Sequence, residues 1–113
     1  MDVVPREVVA YEAANGNCPF EAWWDSIRDQ RSRDILKSRM ARIRLGNLGD
    51  VRALGNGIHE FKIDIGPGYR IYFGNVGGRV VLLTGGDKKT QKKDVKNSLD
   101  YLTDYRRRSI EII

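Results

Sequence analysis

The chain has 113 residues, 41% hydrophobic and 31% charged, with a net charge of +5 and a pI near 9.6. That length suits a single domain over residues 1–113 with one modest core, and no apolar run approaches the ~18 residues needed to cross a bilayer, so no membrane partner is expected. One cysteine (Cys18) and one histidine (His59) exclude an internal disulfide and a zinc site of the usual kind.

No metal or cofactor is therefore expected, although a carboxylate-bound magnesium stays open, and a reducing cytoplasm fits the cysteine usage. The positive charge is unevenly placed. Residues 31–46 hold six basic and one acidic residue, and residues 86–108 hold eight basic and four acidic. Two such blocks fit either a polyanion partner, nucleic acid above all, or a pair of solvated helix faces.

In chain order, residues 3–13 ("VVPREVVAYEA") read as a strand, with Pro5 suited to an edge or a strand start. These opening residues carry neither a basic leader nor an apolar signal core, so they are expected to stay in place. "NGNCPFEAWWDSIRD" predicts a turn and a helix, with Pro19 at its first position and Glu21 in its first turn. Phe20, Trp23, Trp24 and Ile27 follow the spacing of one buried face, and Cys18 caps or packs. A second helix is predicted from about Ser32 to Leu45, with Leu36, Met40 and Ile43 inside. Arg31, Arg33, Lys37, Arg39, Arg42 and Arg44 crowd its remainder. "GNLGDVRALGNG" then reads as a glycine stop and a loop.

"IHEFKIDI" and "YRIYFGNV" are alternating runs separated by "GPG", which predicts a hairpin. With Ile65 and Tyr69 flanking the loop, Lys62 faces Tyr72, Asp64 faces Arg70 and Ile63 faces Ile71. Phe61, Ile63, Ile65, Tyr69, Ile71 and Phe73 then line a core face, and Glu60, Lys62, Asp64, Arg70 and Tyr72 the opposite one. "RVVLLTGGD" predicts a central strand covered on both sides, ended by a sharp turn at Gly85-Gly86. Thr90 caps a last helix, with Val95, Leu99 and Leu102 on its inner face.

Lys88, Lys89, Lys92 and Lys93 cluster where that helix starts. Each cation there costs about 0.3–1 kcal/mol against the helix dipole unless an anion sits nearby, and phosphate is the obvious one. If the third strand pairs with the second, this loop lies near Lys62, Arg70 and Tyr72. Such a cluster suits phosphodiester transfer on RNA, where the substrate supplies its own 2′-OH nucleophile. The same alternation also describes a plain solvated face with surface ion pairs Asp64–Arg70 and Glu60–Lys62. His59 points away from Glu60 and reads as a structural histidine or a reserve candidate.

"PFEAWWDSI", "GNLGDVRALGNGIHEFKIDIGPGYRIYF" and "LLTGGDKKTQKKDVKNSLDYL" together resemble the RelE/ParE superfamily of type II toxins, most closely its HigB-like branch of addiction module killer proteins. The similarity runs from about Pro19 to Leu102. It implies an α+β, RelE-like fold: an antiparallel β-sheet with an N-terminal helical hairpin packed on one face, a cleft on the other, and a C-terminal helix. It also implies a toxin that inhibits translation as a ribosome-dependent mRNA endoribonuclease (an mRNA interferase), or alternatively a ParE-like inhibitor of DNA gyrase.

By that resemblance Arg70 matches the phosphate-stabilising arginine, Lys62 takes the place of a catalytic lysine, and Lys88 falls where many relatives carry an arginine. RelE-type enzymes have a tyrosine near the start of the last helix. Here "KKTQKKDV" has none, which leaves Asp94, Tyr72, His59 and Glu60 as acid/base candidates. Lys89, Lys92, Lys93, Arg39 and Arg42 would bind RNA. The expected partners are the ribosome with mRNA in its A site and a cognate helix-turn-helix antitoxin, with operator DNA reached only through that antitoxin.

Overall fold

The structure, a computed structural model, describes residues 7–47 and 49–111. Their order is β1 (Val8–Ala10), α1 (Pro19–Ser26), α2 (Gln30–Arg44), β2 (Val51–Gly55), β3 (Ile58–Ile63), β4 (Tyr69–Val76), β5 (Arg79–Gly86) and α3 (Gln91–Glu111). The class is α+β, with three helices on a five-stranded sheet of order β1-β5-β4-β3-β2. The sheet is mixed rather than antiparallel, because β1 joins β5 in parallel register. As expected, β1 is an edge strand; Pro5 lies outside the described residues.

The helical hairpin forms where its punctuation predicts. Pro19 opens α1, and Asp29 caps α2 by accepting from the Ser32 amide (3.1 Å) and hydroxyl (2.6 Å). Both bonds favour the ionised form, the hydroxyl bond most, and hold the Asp29 carboxyl below its ordinary range. Phe20 and Ile27 from α1 and its cap, with Leu36, Met40 and Ile43 from α2, pack on Phe61, Ile63, Ile71, Phe73, Val80 and Leu82. Cys18 packs at the margin of this cluster and makes no side-chain capping bond.

The other face is not an open cleft along its whole length. Tyr11, Ile58, Tyr72, Val81 and Leu83 form a second core under Leu102 of α3. Val95 packs on it as predicted, but Leu99 points outward, and Ser98 takes the buried position instead. The central strand β5 supplies both cores, Val80 and Leu82 to one and Val81 and Leu83 to the other. That double burial is what its continuous apolar run requires.

Three features of the sheet depart from the sequence reading. "VRALG" forms β2, where a loop is expected, and pairs antiparallel with β3. The β3–β4 register is shifted by two residues: Lys62 pairs with Arg70, Glu60 with Tyr72 and Ile63 with Tyr69. A two-residue slip preserves the side-chain faces, so the face assignment survives. Finally, Gly85 and Gly86 do not make the turn; both remain within β5, and the chain bends through Asp87–Thr90.

Helix α3 is tied to the edge strand by Tyr11, whose hydroxyl donates to Asp104 Oδ2 at 2.6 Å. Burial, then this bond, pushes the Tyr11 phenol up to about 12. An unfolded tyrosine ionises near ~10, so above that pH the unfolded chain releases a proton that the folded chain retains. The contribution is complete below pH ~10 and declines as the pH rises to about 12. Tyr11→Phe should flatten part of the alkaline fall in Tm, with Tyr72, also raised by burial, retaining the rest of the slope. Thermal melts from pH 8 to 12 check this.

Candidate functional site

Period-two alternation on β3 and β4 brings Glu60, Lys62, Arg70 and Tyr72 to the α3 face, and the corrected register sets Lys62 directly opposite Arg70. With Asp50, Val51 and Arg52 from the β2 edge and Gln91 from α3, Glu60, Lys62 and Arg70 line a hollow of about 340 Å³. Three cations and two carboxylates surround it.

At its floor is a buried ion pair. Glu60 Oε1 lies 3.5 Å from Arg70 Nε, with side chains only 3% and 7% exposed, and 3.6 Å from the exposed Arg52 guanidinium. The Arg70–Glu60 contact is electrostatic rather than a formed hydrogen bond, since Arg70 Nε finds no acceptor among the described residues. Gln91 Nε2 donates to Glu60 Oε2 at 2.8 Å, and Arg70 Nη1 donates to the Gly68 carbonyl at 3.0 Å. Both Glu60 oxygens are thus occupied and the guanidinium is held at two points. A buried charge is tolerated only when paired in this way. Lys62 is 49% exposed, with Asp64 3.7 Å away.

The lysine turn follows directly on β5. A bulge opposite Tyr72 and Phe73 makes Thr84 rather than Leu83 the partner of Tyr72, which reverses the alternation beyond it. Gly85 therefore faces Trp23 of α1, while Gly86 pairs with Arg70 and faces Thr90, just before α3, and Asp94 of α3. Two residues later, the Lys88 stem lies close to Gly68, which the Arg70 guanidinium also approaches. Asp87 Oδ1 accepts from the amides of Lys89 (2.8 Å) and Thr90 (3.1 Å), so a carboxylate partly offsets the lysines at the helix start. Lys88, Lys89, Lys92 and Lys93 are all exposed.

The first turn of α3 also borders a second hollow of about 380 Å³, lined by Trp23, Arg28, Pro67, Tyr69, Thr90 and Asp94 among others. Asp94 is buried and accepts a hydrogen bond from Thr90 Oγ1. Burial outweighs that bond and raises its carboxyl pKa. A raised carboxyl favours folding below the unfolded carboxyl pKa of ~3.9 and loses that contribution as the pH rises through the folded value. Asp94→Asn is therefore expected to raise Tm at pH 7, with the gain disappearing below pH ~4 in melts across that range.

No model of a known protein family matches the chain. A protein of Haemophilus influenzae, described only as uncharacterized, is 41% identical over 80 residues, which span 70% of this chain and 81% of that protein. The chain belongs to that protein's family.

Of the residues singled out in the sequence of this family member, the fold gathers Glu60, Lys62 and Arg70 in one hollow, and it brings the Lys88 stem close to Gly68, which the Arg70 guanidinium also approaches. Tyr72 is placed otherwise: it is fully buried in the second core, its hydroxyl without a hydrogen-bond partner among the described residues, so it offers no phenol to the hollow. Asp94 lines the neighbouring hollow. His59 lies on the face of the helical hairpin, stacked on Phe73 with centroids 5.2 Å apart. Arg42 is exposed on α2, on the far side of the sheet, and Arg39 leans toward Gly49 beside the β2 edge. The surface pairs Asp64–Arg70 and Glu60–Lys62 give way to Lys62–Asp64 and Arg70–Glu60.

Sequence reasoning missed Arg52 and Gln91. Asn56-Gly57, both with positive φ, is a hairpin turn signal that would have revealed β2 and hence Arg52. Gln91 meets Glu60 across 31 residues of sequence, and no local pattern announces that bond.

Proposed function

We propose that the protein is a type II toxin of the RelE/ParE superfamily, in its HigB-like branch, that cuts mRNA on the ribosome by metal-independent 2′-OH attack. The observation that carries this reading is the cation pair Lys62–Arg70, directly opposed across two strands beside the Lys88 turn. Like charges so placed destabilise a sheet, and Glu60 engages only Arg70 of the two. A phosphodiester bound between them would relieve that repulsion through charge-assisted hydrogen bonds.

In the reaction the 2′-oxygen bonds to the adjacent phosphorus and the bond from phosphorus to the 5′-oxygen breaks. The products are a 2′,3′-cyclic phosphate and a 5′-hydroxyl. A base takes the 2′-OH proton, and an acid protonates the departing oxygen. Lys62 and Arg70 stabilise the negative charge that grows on the phosphorane, with Lys88 or Lys89 adding charge or donating the proton. Glu60, with both oxygens engaged, holds Arg70 in place rather than acting as the base. Exposed Lys89, Lys92 and Lys93 and the basic side of α2, including Arg39 and Arg42, would grip ribosomal RNA through salt-sensitive phosphate contacts. A cognate helix-turn-helix antitoxin would hold the toxin inactive in the cytoplasm and carry it to operator DNA.

The test is in vitro translation with the purified protein, followed by primer extension on the message. Discrete breaks that require ribosomes are expected. Intact message together with trapped gyrase–DNA cleavage complexes would replace this reading with the gyrase inhibitor.

A further inference from the structure

We infer that the second hollow, between Trp23 on α1, Thr90 in the turn before α3 and Asp94 on α3, receives the base of the nucleotide beside the scissile linkage and prefers a base with an exocyclic amino group to uracil. This inference rests on the nuclease reading above.

Position supports it first. Gly86 pairs with Arg70, so a wall residue of the second hollow lies one strand spacing (~4.8 Å) from a wall residue of the first, and the first turn of α3 contributes to both, Gln91 to one and Asp94 to the other. Gln91 of that turn faces one hollow, Thr90 and Asp94 the other, and Lys92 and Lys93 stand exposed on the same turn. A strand whose phosphate lies at Arg70 and whose backbone follows these lysines brings its next base to the second hollow.

The lining supports it next. Trp23 and Tyr69 are both part-exposed and meet edge-on, with centroids 6.1 Å apart, so each can offer a ring to an unstacked base. Sequence-specific reading of RNA favours single-stranded bases taken up in this way. The polar wall is acceptor-rich, with Asp94 and Asp87 on α3 and its preceding turn and the Arg28 cation at the α1–α2 connection. A carboxylate accepts from the N4 amino group of cytosine, and the amino groups of adenine and guanine are donors of the same kind, whereas uracil presents carbonyl oxygens at its exocyclic positions and offers only N3–H. Thr90 holds one Asp94 oxygen, which orients the carboxylate.

The experiment varies the base on each side of the ribosome-dependent break across all four nucleotides and measures cleavage rates by primer extension. The wild-type protein should cut on the order of tenfold faster with an amino-bearing base than with uracil at one flank. Asp94→Asn, which keeps an acceptor for Thr90 and adds a donor, should shift that ratio toward uracil. Tyr69→Leu should slow cleavage for every base without reordering them. Thermal melts of each variant confirm folding. Equal rates for all four bases, or an unchanged ratio in folded Asp94→Asn, overturns the base subsite while the nuclease reading stands. Absence of any ribosome-dependent break by the wild type overturns the nuclease reading and the subsite with it.

Discussion

Lys62→Ala and Arg70→Ala should each abolish growth arrest and lower ribosome-dependent cleavage by on the order of 10²–10³-fold, as losing a preorganised charge at the reacting phosphate does. Their effects on stability should separate. Lys62 is half in solvent and its contact with Asp64 is a surface pair, so the alanine variant should melt within about 0.5 kcal/mol of the parent. Arg70 is buried against Glu60, and its removal leaves a carboxylate inside the protein with Gln91 and the exposed Arg52 as its remaining partners. Breaking such a pair costs about 3 kcal/mol or more. Arg70→Ala combined with Glu60→Gln should recover much of that loss without recovering activity. Lys62→Ala is therefore the cleaner functional test. A folded Lys62→Ala that still arrests growth would defeat the nuclease reading and favour the gyrase alternative.

Gly85→Ala should strongly destabilise the sheet. An added Cβ would come 2.2 Å from two atoms of the Trp23 ring, which is rigid and cannot swing aside as a flexible chain end would. Either Trp23 leaves its place between Phe20, Trp24 and Tyr69, or β5 shifts away from α1. Overpacking of this kind costs about 1–3 kcal/mol, and loss of the aromatic contacts adds to it. Thermal melts should show a drop of roughly 4 °C or more for each kcal/mol, with a red-shifted tryptophan emission. An unchanged Tm would mean that Trp23 does not lie on Gly85. The pair Gly85-Gly86 thus serves close approach on two faces, with Trp23 against one glycine and Asp94 against the next. Its sequence suggests a turn, because glycine marks tight turns and tight packing alike.

Much of the framework was legible in local pattern. Pro19, the aromatic spacing of α1, the Leu36–Met40–Ile43 stripe, the alternation of β3 and β4 and the apolar run of β5 each name an element and its buried side, since backbone geometry makes side-chain direction periodic. The charged lining of the candidate hollow was legible to the same extent, because Glu60, Lys62 and Arg70 share a face whether the hairpin register is right or two residues out.

What the amino-acid order determined by itself was therefore the set of elements and the sidedness of each. Tertiary structure alone decided the mates: Lys62 opposite Arg70, Gln91 on Glu60, Tyr72 under α3, and Asp94 in a hollow of its own. The physical reason is that period constrains direction along one segment, whereas register, the β5 bulge and the docking of α3 are settled by packing between segments far apart in the chain.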